Sequence, residues 1–215
     1  MREKLLLAIA TMAGAGCAAT SGMTANSGEE TPVRPAATKA PAAHPAARRH
    51  ARGHAGQLRV GTASSTVVQR QPPPRSCHAR GRGLLALPDP QCTGGATSRA
   101  VTQANIHSTI CVRGYTKTVR PRESITEPEK LGSMDAYGDA GSPHDYEYDH
   151  LVSLELGGAL NDARNLWPEP GRSPNPKDRL ENRLHELICA GRLSLWAAQH
   201  QIATNWVAAY HRLFG

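Results

Sequence analysis

The stretch from Tyr146 to Trp167, YEYDHLVSLELGGALNDARNLW, limits the fold more than any other part of the chain. It opens on strict alternation, with His144, Tyr146, Tyr148 and His150 on one side of a strand and Asp145, Glu147 and Asp149 on the other. Gly157-Gly158 forces a turn and Asn165-Leu166-Trp167 reads as the return strand, so the segment predicts a hairpin. An acidic residue beside a histidine at a strand end is a reactive pairing. The carboxylate can hold a divalent cation while the imidazole takes a proton from water. In an ideal strand the two side chains point to opposite faces, so Asp149 and His150 cooperate only where the chain bends. A buried, hydrogen-bonded Asp-His pair in a purely structural domain is the plain alternative.

After Trp167 a Pro-rich run, Pro168 to Pro176, leads into a helix. Asn175 suits the N-cap, Pro176 the first helical position and Asp178 the first turn. Leu180, Leu184, Leu187 and Ile188 give an apolar stripe at helical spacing, and Gly191 supplies the stop. Asp178, Glu181, Asn182 and His185, three or four apart, project together from another face. A second helix is expected from about Ser194 to Phe214, with Leu195, Ala198, Ile202, Trp206, Ala209 and Leu213 along a core stripe.

Asp149-His150, an apolar turn ending in Gly-Gly, Asn165-Leu166 fifteen positions after the histidine and a polar helix together resemble the HNH (ββα-metal, His-Me finger) nuclease motif. The resemblance covers about Tyr146 to Gly191, a minority of the chain. It implies an α+β fold: a ββα-metal hairpin-plus-helix core with an extra C-terminal helix and short N-terminal strands. It also implies metal-dependent hydrolysis of phosphodiester bonds, with His150 as general base, Asn165 orienting it and Asp149 holding one divalent ion. Members of that family often end the motif with a Cys-x-x-Cys-framed ligand soon after the second strand. Here the Pro-rich run intervenes, and Asn182 and His185 are both candidates for the helix-borne ligand. Asn182 would complete an all-oxygen set suited to magnesium, whereas His185 admits zinc, manganese or nickel. The implied partner is nucleic acid, DNA ahead of RNA. A catalytically silent exported module that binds nucleic acid or envelope polymers is the competing reading.

The N-terminus, MREKLLLAIATMAGAGC, has Arg2 and Lys4 before an apolar run from Leu5 to about Ala15. Residues 1–17 therefore read as a secretory signal, the run being too short to span a bilayer. Gly14-Ala15-Gly16-Cys17 resembles a lipoprotein cleavage box without its usual leucine, so anchoring through a lipid on Cys17 and simple release both stand. The expected location is periplasmic, outer-membrane-anchored or extracellular. Residues 18–83 are rich in Ala, Pro, Arg and His, with almost no large apolar side chain before Leu58, which predicts a disordered tail. Residues 1–83 hold 12 Lys+Arg against 3 Asp+Glu, a net of +9, while residues 84–215 are at −2. Such a tail could hold nucleic acid or an anionic envelope surface, but it lacks aromatic residues for base stacking, which favours a solvated tether.

Residues 84–215 suit one domain, packed largely by Trp167, Trp196, Trp206 and the aliphatic residues. Without Cys17, four cysteines remain (77, 92, 111 and 189), an even number in an exported chain that favours disulfides. Three connectivities are open; Cys92 with Cys111, flanking one short segment, is the expected bridge. A zinc cage is disfavoured because no Cys-x-x-Cys pair is present. Between Leu84 and Ser142 the pattern predicts irregular structure, with short strands at Ser108–Val112 and Tyr115–Val119. Arg113, Lys117, Arg120 and Arg122 form a basic cluster there, suited equally to gripping phosphates and to lining a solvated face.

Overall fold

The computed structural model describes residues 58–61 and 65–215; the expected signal, Cys17 and most of the tail lie outside these residues. The described part is mixed α and β, with two small sheets and four α-helices. Strands β1 (Arg59–Val60) and β2 (Ala96–Thr97) pair in parallel. Helices α1 (Tyr115–Val119) and α2 (Glu123–Tyr137) follow. Strand β3 (Tyr146–His150) then pairs antiparallel with β4 (Leu166–Pro170), Asp149 opposite Trp167 and His150 opposite Leu166. Helices α3 (Pro176–Cys189) and α4 (Leu195–Phe214) complete the chain. No described helix is long and apolar enough to cross a membrane.

Helix α3 starts as the sequence requires. The Asn175 side chain accepts from the Lys177 and Asp178 backbone N–H groups, and Asp178 accepts in return from Asn175 N. Its stripe of Leu180, Leu184 and Ile188 is fully buried against Leu195, Ala198, Ile202, Trp206 and Ala209 of α4. Two members of the expected packing set lie elsewhere. Leu213 ends the α4 stripe 39% exposed, and Trp196 is 59% exposed, one residue out of phase with the buried face.

Several expectations are corrected. Residues 65–83, assigned to the tail by composition, pack on the domain: Gln69 N donates to Glu129 Oε1 at 2.6 Å and Cys77 N to Ala136 O at 3.0 Å. Their polar composition hid backbone bonds to α2. The expected strand at Tyr115–Val119 is helix α1, and Ser108–Val112 is the end of a 3-10 helix followed by turns. Gly114, at φ 87°, turns the chain, so these β-branched residues close local bonds instead of a ladder. Pro128 lies inside α2 and does not break it. Strand β4 runs on through Pro168 and Pro170, which share a parity; with a neighbour on one side only, outward N–H groups carry no ladder bond.

The bridges are Cys77–Cys92 and Cys111–Cys189, not Cys92–Cys111. Both Cys77 and Cys92 are pinned at the end of α2, Cys77 through Ala136 and the Cys92 turn through Tyr137, whose hydroxyl donates to Thr93. Cys111 follows Ile106 and Ile110 into the core beside α3, where Cys189 occupies the last turn. Two disulfides fit an oxidising environment. Closing a 78-residue separation constrains the unfolded chain more than closing 15. The Cys111→Ser/Cys189→Ser variant should therefore lose about 4 kcal/mol and the Cys77→Ser/Cys92→Ser variant about 3 kcal/mol in urea unfolding. The reverse order would show that loop length does not set the ranking.

Candidate functional site

His150 ends β3 and is 4% exposed. One ring nitrogen, Nε2, lies 2.9 Å from the Leu160 carbonyl, which can only accept. Nε2 therefore carries the proton and Nδ1 keeps the lone pair. Burial is the main force that pushes this imidazole from its ordinary 6.5 down to about 4, and the charges of Arg120 and Lys177 act in the same direction. The ring is neutral, and so competent as a base, at neutral pH.

The loop after His150 is held by Asn165. Its Oδ1 accepts from Ala96 N and Val152 N, and its Nδ2 donates to Val152 O and Ala159 O, all between 3.0 and 3.2 Å. The side chain is fully buried and fully engaged by backbone. These hydrogen bonds all go to backbone of this loop and of β2, none to the His150 ring. Gly157, at φ 73°, and Gly158 let that loop close, because a Cβ at Gly158 would collide with the Val152 carbonyl.

Asp149 meets α3 through Lys177, not through Asn182 or His185. The Lys177 side chain is 1% exposed and its ammonium donates to Asp149 Oδ2, to the His150 carbonyl at 2.8 Å and to Glu181 Oε1 at 2.5 Å. Glu169 Oε2 of β4 lies 3.7 Å away, and this 2%-exposed carboxyl shares a side-chain hydrogen bond with Asp149. Burial works against the Asp149 carboxylate, but the Lys177 charge outweighs it and holds the group below its ordinary value. Burial instead pushes Glu169 and Glu181 well up, with the Asp149 charge adding to it. Glu147, across the ladder from Glu169, is pushed by burial and then by Asp149 up to about 7.

Of the basic cluster, Arg120 is the member near this site: exposed, and close enough for its charge to act on His150, Glu147 and Glu155. Arg113, Lys117 and Arg122 lie exposed along the same segment. Asn182 is exposed and donates to Asp178 O of its own helix. His185 Nε2 pairs with Ile110 O at 2.9 Å and lies 3.4 Å from Cys189 Sγ. Cys111, His185 and Cys189 bring their donor atoms within 4.8 Å of one another, a group that could hold a metal ion. The two sulfurs are bonded to each other, however, and a disulfide offers no thiolate. Neither Asn182 nor His185 is bonded to Asp149, so Asn182→Ala and His185→Ala should each leave divalent-ion affinity within about threefold in calorimetric titration. A larger loss in either would return that residue to the site.

Lys177, Glu169 and Glu181 are the residues that sequence reasoning missed. Glu181 stood on the polar face already noted, and Lys177 precedes it by four positions, the spacing of a helical ion pair. Glu169 was concealed by the flanking prolines. Comparison with protein-family models, with curated proteins and with solved structures finds no match to this chain.

Proposed function

We propose that this protein is an exported endonuclease that hydrolyses phosphodiester bonds of nucleic acid with the help of one divalent ion. In this reading β3, β4 and α3 form a ββα core of the HNH type. The observation that carries it is the junction of β3 with α3, where a neutral histidine of fixed tautomer adjoins three converging carboxylates. The three carboxyl groups suit a hard cation: every donor is oxygen, and all three face one centre at the end of β3. Asp149, Glu169 and Glu181 would hold the ion, with magnesium or manganese favoured over zinc or nickel. When bound, such an ion supplies charge stabilisation at phosphorus and at the leaving oxygen.

The chain's own residues do the rest. Nδ1 of His150 accepts the proton of the attacking water as the new P–O bond forms and the bond to the leaving oxygen breaks. The leaving oxygen then takes a proton from solvent. Nε2 stays on Leu160 O, so the ring does not turn during the transfer. Arg120 binds a phosphate oxygen from the exposed side of the site. The test is incubation of the purified protein with DNA and, separately, RNA, each with magnesium or manganese and with chelator. Ion-dependent cleavage products are expected. Tight binding to either polymer without cleavage would make the protein a binding module instead.

A further inference from the structure

Lys177 has a role that hydrolysis alone does not explain. Its ammonium uses all three N–H bonds, on Asp149, on the His150 carbonyl and on Glu181, within a site where it is 1% exposed. The three carboxyl groups converge on this ammonium, Asp149 and Glu181 in direct contact and Glu169 through its bond to Asp149 and at 3.7 Å. A single ammonium thus occupies the position that a cation held by these carboxyl oxygens would need.

We propose that Lys177 is a resident counter-ion that competes with the divalent ion for Asp149 and Glu181. The site then loads only above a metal threshold set by Lys177, and loading expels the ammonium. The physical ground is mutual exclusion. An ammonium and a divalent ion repel each other at contact distances, and both require the same carboxylate oxygens. An ion that binds only when the ammonium is out has its affinity reduced by the fraction of time the site spends open. The device keeps the buried carboxylates compensated in the absence of metal, where an unpaired cluster would destabilise the fold. The inference rests on the hydrolase reading for the presence of an ion, but not for the reaction.

The test is manganese binding by the full chain, read by calorimetry, in wild type, Lys177→Met and Lys177→Arg. The methionine keeps length and volume while removing the charge, and it should bind manganese at least about tenfold more tightly. The arginine, which keeps the charge, should not. Without metal, Lys177→Met should melt below wild type, and manganese should raise its melting temperature by more than it raises that of wild type. In wild type, NMR should find the Lys177 ammonium protons protected from exchange, and saturating magnesium should remove that protection. This second measurement stands even where the methionine variant folds poorly. Equal manganese affinity in wild type and Lys177→Met, or ammonium protection unchanged by magnesium, overturns the inference and leaves the hydrolase reading intact. Absence of binding in all three variants overturns both.

Discussion

His150→Ala is expected to lower strand cleavage by about 10²- to 10⁴-fold while leaving manganese affinity near that of wild type. The base acts on water, and its removal touches none of the carboxylates that would hold the ion. The wild-type pH profile carries the same signature. Because burial holds the imidazole down to about 4, protonation of the base itself should not limit activity near 6.5. The stability consequence has a definite sign. The folded pKa lies below the unfolded one, so the unfolded chain binds more protons between the two values. The contribution is fully present above the ordinary 6.5 and is lost as pH falls toward about 4. Urea unfolding at pH 7 and pH 5 should reveal this loss in wild type, and a smaller one in His150→Ala.

Asn165→Ala is the substitution expected to cost most in stability. It leaves Ala96 N, Val152 N, Val152 O and Ala159 O without partners in a fully buried place. Each orphaned group costs about 1–3 kcal/mol. Allowing for partial relaxation, the variant should lose about 4 kcal/mol in urea unfolding, a large effect for one side chain. Asn165→Asp retains the shape but loses both donors and buries a charge, so it should fare no better. In both variants cleavage should fail together with the fold, whereas His150→Ala, which frees one carbonyl, Leu160 O, should unfold at a lower midpoint than wild type but well above Asn165→Ala. That contrast separates a residue that positions the loop from one that meets the reacting water.

The parts of the fold legible in the sequence are those whose signals are local. Asn175-Pro176-Lys177-Asp178 carries its own capping chemistry, and Leu180, Leu184 and Ile188 repeat at the helical period. The alternation before His150 sets β3 and leaves only one return partner, β4. Helix α2 was concealed because the face it buries is Glu129, Ser133, Met134 and Ala136, polar or small, and because Pro128 reads as a breaker. The bridges depend on where distant segments meet: Cys77 and Cys92 at the end of α2, Cys111 and Cys189 at the end of α3. At the site, Asp149 and His150 were legible as neighbours in sequence. Lys177 and Glu181 became visible only once α3 was laid against the end of β3, which brings the first turns of the helix, not Asn182 or His185, to the carboxylate.

The central claim, that His150 and an ion held by the adjacent carboxylates hydrolyse a phosphodiester bond, is tested most directly by one assay. Supercoiled plasmid is incubated with the purified protein and manganese, over a range of roughly pH 5–9 in which a buried neutral imidazole remains a base. The account predicts nicking at neutral pH that stops with chelator and is lost in His150→Ala. Absence of nicking with manganese, magnesium, zinc or nickel, or nicking by His150→Ala at the wild-type rate, would contradict it.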